Sequence, residues 1–153
     1  MYSAIDVARY FLAQSDPDAG DTMSNLKLQK LLYYAQGVTL ALTEKPLFSD
    51  PLEAWLQGPV VPSVFRKYKE AGSGAVILEE AQGDEEDEIE EFDESTREIL
   101  DEVYQVYGQF SAWKLRSMTQ EEPPWRNTPQ GSEISHHRLS DFFSTRVILN
   151  GQE

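Results

Sequence analysis

The chain contains no cysteine and only two histidines among its 153 residues. Without cysteine there is no disulfide, no thiol nucleophile and no thiolate zinc site. This usage fits a reducing cytosol. No apolar run approaches the roughly 18 residues that a membrane span requires. Met1 to Tyr10 carries Asp6 and a single arginine, so it does not read as a signal peptide. Basic residues are also few: 13 Lys and Arg stand against 27 Asp and Glu, a net charge of −14. Nucleic-acid affinity comes chiefly from Lys and Arg neutralising phosphates. Direct nucleic-acid binding is therefore not expected. The acidic excess is local, because 11 of the 16 residues from Glu79 to Glu94 are acidic and none is basic.

Hydrophobic residues make up 40% and aromatics 11%, enough to build a core. The length suits a single domain, 1–153, carrying 79–94 as an acidic, solvated and flexible insert. Periodicity predicts a mainly α fold. Ser3 caps a first helix through Ile5, Ala8 and Leu12, which Asp16 to Gly20 stops. Ser24 or Asn25 caps a second helix, about 26–43, that is apolar on most sides and therefore central and buried. Lys27, Gln29 and Lys30 are expected on its one solvated flank.

The segment 47–62 holds Pro51, Gly58, Pro59 and Pro62 and cannot be a long helix. Leu52, Ala54 and Leu56 alternate with polar or outward positions, which predicts a short strand at 52–57. Its expected partner is the apolar run 75–78, giving a short two-stranded β element. A short basic helix follows Pro62. Ser95-Thr-Arg-Glu98 reads as a capping box for a helix burying Ile99, Val103, Val106 and Phe110, ended by Gly108. Ser111 caps a helix through Met118. Glu121 to Trp125 reads as a rigid loop. Ser135 caps a last helix with Leu139, Phe142 and Phe143 inward, and the chain from Arg146 reads as a tail.

Motifs for catalysis are absent. There is no phosphate-binding glycine loop, no dinucleotide fingerprint, no His-Glu-x-x-His and no nucleophile elbow. His136 and His137 are adjacent, so on a helix they point about 100° apart and cannot share a metal. The acidic run fails the Ca²⁺-loop spacing, since a loop starting at Asp84 has Ile89 where glycine is required. A carboxylate-metal hydrolase built on that run with His136 would need rigidly placed groups. Neither an enzyme nor a cofactor is expected. A nucleic-acid mimic is disfavoured because the acids cluster in one segment. Trp113 reads as core. Trp55 either packs under a helix or faces a partner, and Trp125 is either a core plug or a partner contact.

Three stretches together carry a family resemblance. They are Leu26-Lys-Leu-Gln-Lys-Leu-Leu-Tyr-Tyr-Ala-Gln-Gly37, then Pro46-Leu-Phe48 with Glu53-Ala-Trp-Leu-Gln-Gly-Pro-Val-Val-Pro-Ser-Val-Phe-Arg-Lys-Tyr68, and Met118-Thr-Gln-Glu-Glu-Pro-Pro-Trp125. The chain resembles the Panacea domain, the SocA-like antitoxin family also known as phage-associated GepA-like proteins. Gln120 stands where the family pattern usually has histidine, and the acidic insert is a second departure. The resemblance implies a helical binding module that neutralises a cognate toxin, encoded by a neighbouring gene, by direct protein–protein contact. It supplies no catalytic residues. The residues expected to bind the partner are Lys27, Lys30, Trp55, Gln57, Pro59, Val60, Pro124 and Trp125. The alternative is an adaptor that presents a partner to a protease, using Asp84 to Glu88 as its second surface. A homodimer is left open.

Overall fold

The computed structural model describes residues 1–15, 23–72, 74–76 and 92–151, with side chains of the last helix through Arg146. Seven α-helices and one β-hairpin appear among them: α1 Ala4–Gln14, α2 Asn25–Thr43, β1 Glu53–Trp55, β2 Gly58–Val60, α3 Pro62–Lys67, α4 Glu94–Tyr107, α5 Ala112–Glu121, α6 Pro123–Arg126 and α7 His136–Gly151. The expected stop at Asp16 to Gly20 and the acidic run through Glu91 lie outside the described residues.

Helix α2 is the axis of the fold, and α1, α3, α4, α5, α7 and β2 all pack on it. Its first turn is closed by Ser24, whose hydroxyl accepts from the Lys27 backbone N–H. Leu28, Leu31, Leu32, Tyr33, Tyr34 and Ala35 are fully buried, as an all-round apolar helix requires. Helix α7 lies closest along it because Gly37 offers no side chain there. A Cβ at Gly37 would collide with the Phe143 ring. The helix continues to Gly151, where the sequence reads as a tail after Arg146.

The mainly α class and the two-stranded element are as expected, but the pairing differs. β1 pairs antiparallel with β2, Glu53 opposite Val60 and Trp55 opposite Gly58, and not with 75–78. Gly58 turns the chain at φ 107, a backbone conformation that favours glycine. Ala75 instead bridges Ser24, and Val76 N–H donates to the Met23 carbonyl at 2.7 Å. The acceptor lay at the start of α2, outside the reach of local alternation.

Several helix ends also move. Asp93, not Ser95, caps α4, its carboxylate accepting from Thr96 N–H at 2.8 Å. These bonds, with those from Ser95 and Tyr2, hold the Asp93 carboxyl well below the usual carboxylate range. On α4, Leu100 and Val103 are buried while Val106 is exposed. Ser111 caps α5 and Ser135 caps α7 as expected. Glu121 to Trp125 is not a loop, because Pro123 and Pro124 open the short helix α6.

Candidate functional site

The polar side chains of α2 face inward. Lys27 is 7% exposed, and Gln29 and Lys30 are fully buried, so the expected solvated flank does not exist. Each has a backbone partner distant in sequence. Lys27 Nζ donates to the Gly108 carbonyl at 2.7 Å and fixes the end of α4. Gln29 Oε1 accepts from Val61 N–H at 2.8 Å, and its Nε2 donates to Asn25 Oδ1. Lys30 Nζ donates to the Pro59 carbonyl at 3.0 Å. Gln36 accepts from Leu47 and Phe48 N–H and donates to the Phe48 carbonyl. A buried polar group left unbonded costs about 1–3 kcal/mol, so these pairings set the register of segment 47–61 against α2.

The β1–β2 hairpin is clasped on every described side. Gln120 Nε2 on α5 donates to the Leu56 carbonyl at 2.9 Å. Trp125 Nε1 on α6 donates to the Trp55 carbonyl at 2.8 Å. The Trp55 ring meets Phe65 of α3 edge-on, with centroids 5.3 Å apart. Ala54 N–H donates to the Ser132 carbonyl and Ile134 N–H to the Leu52 carbonyl, so 131–134 lines the other edge. Only the tip, Leu56 and Gln57, stands clear in solvent, with Trp55 half-buried at its base.

Glu122 joins the third stretch to the first. Its two carboxylate oxygens accept from the Tyr33 and Tyr34 hydroxyls, both at 2.9 Å. Burial raises the Glu122 carboxyl, and the two tyrosine bonds and Arg146 oppose the rise. Burial also raises both phenols, reinforced by the Glu122 charge. Lys30 is the converse. Burial, with the neighbouring Arg116 charge, lowers its ammonium to about 7.

Of the eight residues expected to bind a partner, Trp55, Gln57 and Trp125 keep exposed surface. Lys27, Lys30, Pro59, Val60 and Pro124 are buried. Gln57 and Val60 line a cleft of about 230 Å³ with Leu26, Gln29 and Phe65. Trp113 is not core: it is 67% exposed on α5. Glu122 escaped the sequence reading, although its place before two prolines at a helix start was a cue. His136 and His137 are exposed, and His137 faces Asp141 at 3.2 Å. Among the described residues no group of three or more His, Asp or Glu could hold a metal ion, and no helix is long and apolar enough to cross a membrane.

The three stretches that carry the resemblance thus meet in one hydrogen-bonded unit: Lys30 on Pro59, Tyr33 and Tyr34 on Glu122, Gln120 and Trp125 on the hairpin. The antitoxin SocA of Caulobacter vibrioides is 46% identical over 55 residues, a stretch that covers 36% of this chain and 29% of that protein. No solved structure matches significantly. The profile of the family described as antitoxin SocA-like, Panacea domain, matches residues 28–126, well over half of the 153 residues, and the chain belongs to that family.

Proposed function

We propose that the chain is an antitoxin that neutralises a cognate toxin by direct protein–protein binding, the toxin being the product of a neighbouring gene. Family membership supports the antitoxin role. The observation that supports direct binding is the clasped hairpin, which holds an exposed tip rigid from α2, α5 and α6. A tip already immobilised has little conformational entropy left to lose on docking. Trp55, Gln57 and Trp125 form the contact set. Lys27, Lys30, Pro59, Val60 and Pro124 act from beneath by fixing its shape.

In this reading the chain performs no catalysis and needs no cofactor, and the pair meets in the cytoplasm. Presentation to a protease would need a second surface. The candidate for one, Asp84 to Glu88, lies outside the described residues, and occlusion is the reading adopted. The test is co-expression of the tagged chain with each adjacent open reading frame. Growth rescue from a toxic neighbour with a stoichiometric co-purified complex is expected. Harmless neighbours and no complex would overturn the reading.

A further inference from the structure

Two large apolar side chains near the hairpin are left in solvent: Leu56 at the tip, 64% exposed, and Trp113 on α5, 67% exposed. They are linked along one helix face. Trp113, Arg116 and Gln120 are spaced i, i+3 and i+7, which places them in line over roughly 10 Å of helix. The Arg116 guanidinium lies over the Trp113 ring, 4.9 Å from its centroid. Gln120 at the far end holds the Leu56 carbonyl. Trp113 is therefore a supported anchor and not a loose side chain, and the stripe ends on the immobilised tip.

The two chain segments that supply this stripe carry charge opposite to that of the chain. Segments 52–72 and 111–127 carry six basic residues against four acidic ones, a net +2 in a chain of net −14. One of the four acids, Glu122, is buried on two tyrosine hydroxyls. Lys114 beside Trp113 is exposed, and so are Arg66, Lys69 and Arg126. Arg116 Nε is buried without an acceptor. Beneath it the Lys30 ammonium is depressed in part by the Arg116 charge. In a symmetric dimer this stripe would meet its own cations, which disfavours a second copy as the occupant.

We propose that the Trp113–Arg116–Leu56 stripe extends the contact set of Trp55, Gln57 and Trp125 along α5 and anchors the toxin, and that the toxin presents there an apolar pocket rimmed by carboxylates. This rests on the antitoxin reading above and names the partner chemistry of that interface. Tryptophan and arginine in a supported cluster are the residue types that dominate interface energetics.

The test uses the purified full chain and the toxic product of the adjacent gene, with affinity and association rate measured at low and high salt. Trp113→Ala is expected to weaken the complex at least tenfold with no fall in melting temperature. Lys114→Glu is expected to slow association several-fold at low salt, and the deficit should vanish at high salt. Leu42→Ala, exposed elsewhere at the end of α2, should leave both unchanged. A complex that binds Trp113→Ala and Lys114→Glu as tightly as the parent chain overturns the proposal while leaving the antitoxin reading intact. Faster association of Lys114→Glu would mean a basic partner face and also overturns it. So would a concentration-dependent dimer of the isolated chain that Trp113→Ala abolishes. A parent chain that binds no neighbouring product removes the antitoxin reading first, and the proposal with it.

Discussion

The inner flank of α2 and the outer face of α5 exchange the roles that their residue types suggest. On α2, Lys27, Gln29 and Lys30 are buried. On α5, Trp113 stands in solvent three residues from Arg116. Composition assigns lysine to water and tryptophan to the core. What decides here is whether a partner exists in space. The α2 lysines find carbonyls at Pro59 and Gly108. Trp113 meets the Arg116 guanidinium and otherwise keeps two thirds of its surface in solvent. Burial of a polar residue is tolerated where its hydrogen bonds are met. Exposure of a tryptophan is tolerated where its area is small against the whole core, and it marks a surface that another molecule can cover.

The contrast breaks most severely at Glu122. Glu122→Ala strips the acceptors from two buried tyrosine hydroxyls at once and leaves a cavity between α2 and α6. Each neutral hydroxyl left buried and unbonded costs about 1–3 kcal/mol, and chemical denaturation should show a loss of that order for each of the two. Glu122→Gln keeps one acceptor oxygen and should lose less. A loss under about 1 kcal/mol for the alanine variant would mean that the tyrosines do not depend on this carboxylate.

Lys30 gives the next effect, and its sign is that of acid denaturation, stability falling as pH falls, although a cation and not a carboxylate sets it. Its folded value is about 7 against 10.5 when exposed, so between these values the unfolded chain binds the extra proton. Stability then rises with pH in that window, and the full burial penalty is present below it. The expected gain from pH 7 to pH 9 is about 2 kcal/mol. In Lys30→Met that slope should flatten, since no titrating group remains there. Parallel pH profiles for the two chains would show that Lys30 stays charged inside the fold.

Much of the fold was legible because it is local. The caps at Ser3, Ser24, Ser111 and Ser135, the end of α4 at Gly108 and the leucine stripe of α2 all follow from residues within a few positions of each other. The failures share one cause. Lys30 was placed in water because its acceptor lies 29 residues away, and Lys27 because its acceptor lies 81 away. The hairpin partner was missed because Gly58 and Pro59 were read only as helix breakers, although a glycine at positive φ also turns a strand back on itself. Trp113 was misplaced because apolar periodicity on α5 does not tell which face lacks a neighbour. Leu115 and Thr119 are the buried positions of that helix.

The smallest effect sharpens the comparison most finely, at the point where the inner network meets the outer stripe. Gln120 is half-buried and makes one neutral hydrogen bond to the Leu56 carbonyl, next to the exposed tip. Gln120→Ala should cost about 1 kcal/mol of stability, because water can reach and partly re-satisfy that carbonyl. Its effect on partner binding should be larger than its effect on folding, since the tip would lose one of its clasps and dock with more entropy to surrender. Gln120→His tests whether an imidazole can replace the amide at this position. A neutral imidazole carries one N–H that can serve the same carbonyl, so this variant should recover most of both losses above pH 7. Below pH 6 the imidazolium would add a cation beside Arg116 and Lys30. A histidine variant whose stability falls on acidification, while the glutamine chain holds steady, would show that the hairpin clasp needs a donor at this position and no further positive charge.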